Sequence, residues 1–307
     1  MAIWANTNGW PFPPIVLLGC LVAEILYFRG WRLLIKHEQA KEAARARKSP
    51  ASPASAGGYQ WNSWFWRGIY FQCAIFVLLL ASSAPIDILA SRLFWVHMVQ
   101  HLLLLIVMAP LLVAGAPILP LWLGLPRQLR RPIQACARLK VRRIFLGVGH
   151  WLQRPVVACA LLILGTWIWH WPPLYDLALT NDAIHDWCEH TTFLAVSIIF
   201  WAQVIPSHPL RPRLGYLGRL GYLGVAIAQN FVLAVLLGFA LHPLYAPYAH
   251  LAQGPGGISA LQDQQIGAGI MWTFGDLPFG IAVSILIQRW LASQPDETAI
   301  AVKSHEG

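Results

Sequence analysis

Long apolar runs, broken by short basic or proline-bearing stretches, organise the chain. Segments long enough to cross a bilayer, about 20 residues each, run at 13–35, 68–90, 93–116, 155–171, 183–205, 217–241 and 265–290. The pattern predicts an all-α polytopic membrane helix bundle with seven transmembrane helices. The fourth segment is short and is allowed an earlier start, near Phe145. Residues 118–125, with Pro117, Pro120 and Pro126 around them, read as a turn or interfacial piece. The stretch 38–58 is helix-prone and then rich in Pro, Ala, Ser and Gly, which suggests a helix extension followed by a flexible linker. The expected organisation is a first transmembrane helix in 1–36, a cytoplasmic linker in 37–66, a six-helix membrane domain in 67–292 and a cytoplasmic tail in 293–307. The N-terminus has no basic region and no small-residue cleavage site ahead of its apolar run, so the first helix is expected to be retained.

Composition supports this reading: 57% of the 307 residues are hydrophobic and 11% charged, a balance typical of polytopic membrane proteins. The net charge of +9 could suggest nucleic acid, but its placement argues for a membrane. Of the 22 Lys and Arg residues, all but Arg92 fall in the 1–2, 3–4 and 5–6 connections or at the C-terminal end. The positive-inside rule then puts the N-terminus outside and the C-terminus in the cytoplasm, as expected for a multi-pass protein of a bacterial plasma (inner) membrane. The tryptophans at 61, 64 and 66 and at 167, 169 and 171 read as interfacial anchors. Five cysteines without CxxC spacing argue against a disulfide framework or a structural zinc site.

This topology sorts the eleven histidines. His97, His101, His170, His185, His190, His242 and His250 fall at the outer helix ends and loops, together with Asp176, Asp182, Asp186, Glu189 and Asp263. His97 and His101, spaced i, i+4, share a helix face and can meet one ligand. Met98 is turned about 100° from His97 and reaches that site only from its edge. In the fifth helix, His185 pairs with Glu189 and Asp186 with His190 at i, i+4, on different faces; at most one pair is expected to point at the centre. Asn181 or Asp182 can cap that helix. His170 and His242 precede prolines at helix ends, where a ligand and a surface histidine are equally plausible. Asp263, Gln264 and Gln265 open the seventh helix and can cap it or hydrogen-bond the ligand imidazoles from behind. Gly267 and Gly269 permit close packing. Met271 is a soft donor two turns below. Glu24 and Asp276 are intramembrane carboxylates, functional by default or structural and hydrogen-bonded.

The segments HMVQHLLLL…APLLVAGAP, WHWPPLYDLAL, HDWCEHTTFLAVSIIFW and DQQIGAGIMW together resemble the integral-membrane CtaG family of cytochrome c oxidase assembly factors, the multi-span type associated with caa-type oxidases. The resemblance covers about residues 65 to 290. It implies a role in maturing the oxidase, at its copper centres, with oxidase subunits as partners. It carries the family's polar positions onto His97, His101, His170, His185, Glu189, His190, Asp263, Gln264 and Gln265.

Imidazole and thioether donors beside carboxylates suit copper, and the methionine favours Cu(I). The expectation is a copper-binding metallochaperone that is not an enzyme and binds no nucleic acid. Two competitors remain at this level. One is a membrane haem protein whose histidines ligate haem for electron transfer; the other is a copper permease using Glu24, Met271 and Asp276. The sequence does not choose between monomer and homo-oligomer.

Overall fold

The computed structural model describes residues 12–48, 63–136, 141–207, 209–249 and 257–294. It is all-helical, with no strand among the described residues. Five helices are long and apolar enough to cross a membrane, or six if one bent pair counts as a single span.

Helix α1 (Pro14–Lys48) continues past the expected span, so part of the predicted linker is helical. Helix α2 is Trp64–Ala81. It does not reach residue 90: a new short helix, α3 (Ala84–Ala90), starts with Pro85 in its first turn. Proline has no N–H to give and its ring would meet the Ala81 carbonyl in a continuous ladder, so the chain breaks at Ser82–Ser83. Helix α4 (Phe94–Gly115) crosses in one piece, but residues Leu103–Met108 widen into a π turn. That turn lies just ahead of Pro110, which would otherwise collide with the Ile106 carbonyl. The helix ends with Ala116 in the left-handed region, φ 46°, before Pro117.

The piece read as a turn or interfacial segment is a helix, α5 (Ile118–Gly124). It lies so close to α1 that a side chain at Gly30 would overlap the Pro120 carbonyl, and one at Gly124 the Leu26 carbonyl. Helices α6 (Arg127–Cys136) and α7 (Val141–Leu152) precede α8 (Pro155–Trp169). The earlier start near Phe145 is not realised as one straight span: the axis turns by 75° ahead of Pro155. Helix α9 (Pro172–Thr180) follows the proline pair. Residues 182–201 form α10, whose early part Ile184–Glu189 is a second π turn. Then come α11 (Tyr216–Gly238), the single turn α12 (Ala246–Ala249) and α13 (Ala260–Leu291).

The two largest cores among the described residues hold most of these elements, and a smaller one packs α2 on α4 through Ala74, Val77, Leu104 and Met108. Phe200, Trp201, Leu223, Ala226 and Phe279 pack α10, α11 and α13 together. Nearer the histidines, Phe94, Tyr175, Tyr245 and Tyr248 cluster around Met98 and Met271, with Tyr175 stacked on Tyr245 at 3.8 Å between ring centroids. Outside these cores large apolar side chains face outward, Phe76 at 67% exposure and Val156 at 81% among them. A surface this apolar is at home in lipid.

Candidate metal centre

The site is assembled from the first turns of α4 and the π turn of α10. Asp263 of α13 accepts hydrogen bonds from the backbone N–H groups of Phe94 (2.7 Å) and Trp95 (3.1 Å). A carboxylate there satisfies two orphan donors and complements the helix dipole. The anchored helix presents His97 and His101, buried to 1% and 4% exposure. Asn181 Oδ1 accepts from the Ala183 and Ile184 N–H groups, capping α10. Its π turn then delivers His185, Glu189 and His190.

Glu189 is fully buried and central. Its Oε1 lies 3.5 Å from His101 Nε2 and 4.0 Å from His97 Nε2, and its Oε2 lies 3.9 Å from His185 Nε2. One ligand atom from each of the four residues falls within 4.8 Å of the others. None of these five atoms makes a hydrogen bond. Tetrahedral coordination at about 2.05 Å separates ligand atoms by about 3.3 Å, so pairs now spread over as much as 4.8 Å would have to close by up to about 1.5 Å to complete the shell.

The ring orientations favour the same use. Tyr248 donates its hydroxyl proton to the Ala90 carbonyl at 2.6 Å, so towards His97 Nδ1, 3.2 Å away, the same oxygen acts as acceptor. His97 therefore carries its proton on Nδ1 and turns the Nε2 lone pair to Glu189. His185 Nδ1 faces the Asp186 carboxylate at 3.2 Å, which likewise leaves Nε2 as the free donor. Protonation of the far nitrogen against an oxygen acceptor is how metal-binding imidazoles are oriented.

The two α10 pairs do not separate as the α-helical spacing predicts. In a π turn residues five apart stack, so His190 follows His185: their ring centroids are 4.2 Å apart, and His190 lies 5.5 Å from His101. His185, Asp186 and His190 make a second group with ligand spacing. It borders a largely apolar cavity of about 440 Å³ lined by α1, α2, α3, α4 and α10, with Cys20, Asp87, Gln100 and His190 on its walls.

A family model described as cytochrome c oxidase caa3 assembly factor matches residues 43–293. The chain belongs to the CtaG family. It is 26% identical over 229 residues to an uncharacterised protein of Mycobacterium leprae, covering 74% of this chain and 34% of the relative. Uncharacterised proteins of Mycobacterium bovis and Mycobacterium tuberculosis each match at 25% over 230 residues, 75% of this chain and 35% of theirs. The chain thus spans about a third of the length of the curated relatives it matches. No solved structure matches.

Other expected site residues of this CtaG chain sit elsewhere. Met98 is 1% exposed among Phe94, Tyr175 and Met271 rather than at the cluster's edge, because the residue next to His97 projects off the His97–His101 face. The α13 residues do not touch the imidazoles. Asp263 caps α4; Gln264 accepts from Leu244 N–H and donates to the Leu237 carbonyl, tying down the loop after α11; Gln265 is exposed. Cap and clip positions compete for these polar groups, and the backbone wins. His170 is buried beside Thr166 and Tyr175, outside the four-residue group. His242 is exposed and His250 lies outside the described residues. Gly267 abuts Phe94, whereas Gly269 faces open space. Glu24 accepts from Gln72 at 2.8 Å on an exposed face. Asp276 accepts from Asn230 at 3.0 Å, and that amide also reaches the Met271 carbonyl. Sequence reasoning missed Tyr248, which orients His97, and Gln100, whose amide donates to the Ala81 carbonyl at the end of α2. The HPLYAPY segment that supplies Tyr248 carries no spacing that ties it to α4.

Proposed function

We propose that this protein is a cytochrome c oxidase assembly factor that binds copper as cargo between α4 and α10, near the outer membrane face, and delivers it to an oxidase subunit. The observation that carries this reading is the convergence of His97, His101, His185 and Glu189, buried and without hydrogen bonds at their facing atoms. Leaving such atoms unpaired costs stability, and an ion repays it. Imidazole and carboxylate donors suit a late first-row ion, whereas magnesium would demand an octahedral oxygen shell. The family match supplies the link to the oxidase. The cavity beside His190 provides a route for the client to approach from the membrane.

The seven-span, N-outside topology belongs to this proposal, with the linker and tail on the cytoplasmic side. Its support is the distribution of basic residues and the packing of α8 and α10 into the bundle beside the longer spans. Haem is disfavoured at the four-residue cluster, where the His97 and His101 rings sit 4.2 Å apart and leave no room for a porphyrin between them, and the cavity of about 440 Å³ has His190 as the one histidine in its lining. A permease would use Glu24 and Asp276, but both are engaged by amides on different helices.

The test is elemental analysis and a visible spectrum of the full chain purified in detergent. Near-stoichiometric copper without a haem band, lost in the His97→Ala/His101→Ala variant, supports the proposal. A Soret band, or copper unchanged in the variant, overturns it.

A further inference from the structure

Beyond the four-residue cluster lies a group of buried donors that it does not use. A cavity of about 40 Å³ includes Met98, His101, His170, Ser197, Asn230 and Met271 in its lining. A single small occupant needs about 10–15 Å³, so the space holds an ion or a few waters. The thioethers come from α4 and α13 and are buried to 1% and 3% exposure. His170 Nδ1 lies 2.7 Å from the Thr166 carbonyl. A carbonyl only accepts, so Nδ1 carries the proton and Nε2 keeps its lone pair, and that buried atom has no hydrogen-bond partner. His101 belongs to both places: Nε2 is the atom nearest Glu189, and Nδ1 is equally buried and unpartnered.

We propose that this cavity is a second metal position, selective for a soft monovalent ion, Cu(I) or Ag(I). The Met98 and Met271 thioethers and His170 Nε2 are its donors, and His101 stands between it and the harder cluster. Thioethers bind Cu(I) and neglect zinc, whereas imidazole and carboxylate accept either. The two positions therefore sort ions by softness, and a shared imidazole is the natural point of exchange between them. Ordered water is the competing occupant; it would satisfy His170 and Ser197 and leave the two methionines to core packing alone.

The proposal does not require the cluster to bind copper, and the experiment separates the two. The full chain, labelled with selenomethionine and kept reduced in detergent, is titrated with Cu(I) or Ag(I) and separately with Zn(II), and X-ray absorption is recorded at the metal edge. Cu–Se scattering is expected in the parent chain. In Met98→Leu/Met271→Leu, a volume-conserving change, that scattering and one equivalent of Cu(I) disappear while Zn(II) binding persists. In Glu189→Gln, Zn(II) binding falls at least tenfold while Cu–Se scattering remains. Nitrogen and oxygen scattering alone in the parent, unchanged Cu(I) stoichiometry in the double variant, or loss of Cu–Se scattering in Glu189→Gln would each overturn the second position. Cu–Se scattering without any Zn(II) binding would uphold it and remove the cluster instead.

Discussion

Tyr248→Phe isolates how the protein sets its imidazoles, because it removes one oxygen and leaves the ring packing in place. That oxygen does two things: it donates to the Ala90 carbonyl at 2.6 Å and meets His97 Nδ1 at 3.2 Å. Losing the first contact costs about 1 kcal/mol of stability. Losing the second frees His97 to flip or change tautomer, and removal of such an outer partner lowers metal affinity about 10–100-fold, or about 1.4–2.7 kcal/mol. Tyr245→Phe is the matched control, since its hydroxyl also donates to a buried carbonyl, that of His170 at 3.1 Å, without meeting a ring nitrogen of the cluster. Both variants should melt at similar temperatures. Competition against a chromophoric chelator should then show weakened Zn(II) or copper binding in Tyr248→Phe alone. Equal affinities in the two variants would refute the idea that Tyr248 fixes the His97 donor.

Glu189→Gln removes a buried charge that makes no hydrogen bond, so the metal-free variant should melt no lower than the parent, while losing the metal-induced rise in Tm that a hundredfold excess over Kd gives the parent, about 2.7 kcal/mol. A variant that melts lower yet still gains from metal would contradict this. Gly267→Ala places a Cβ 2.5 Å from the Phe94 ring and should cost about 1–3 kcal/mol and weaken metal binding by displacing α4; Gly269→Ala, with nothing within 4 Å, should be neutral or stabilising, and thermal melts compare the two. Asp263→Asn keeps the shape but removes the charge from the α4 entrance, for a loss of about 1 kcal/mol measured by chemical denaturation. Chelator treatment of the metal-loaded chain should lower Tm reversibly, with recovery on adding copper back.

The apolar runs made the helical membrane architecture legible, since a 20-residue hydrophobic stretch has few alternatives. Its breaks were less so. Pro85 ends one predicted span early, and Pro155 forces a 75° turn where a longer helix was allowed; in both cases a single missing N–H outweighs a favourable hydropathy window. Residues 118–125 looked too rich in proline to be helical, but Pro117 and Pro120 fall at the start and first turn of α5, where proline is tolerated. In the site, the i, i+4 logic placed His97 with His101 and His185 with Glu189. It could not place His190 with them, because a π turn leaves no spacing signature. Nor could it foresee that Asp263 and Gln264 serve backbone groups, since a capping carboxylate and one that backs a ligand look alike in sequence.

The π turn at Ile184–Glu189 acts as a phase slip in α10. Each residue added to a helix rotates the turns beyond it by about 100°, so one extra residue in this wide turn lets the histidine end and the membrane-buried end obey separate rules. Below it, Phe193, Phe200 and Trp201 keep the register that packs the bundle; within it, His185 is swung round to join Glu189 and His190. Deleting one residue there, between His185 and Glu189, would relax the turn to an ordinary helix, leave the bundle intact and respace His185 with Glu189 to i, i+3 and with His190 to i, i+4. The spacing of the donors can therefore be reset by a single-codon insertion or deletion, without redesigning the apolar face that holds the protein together.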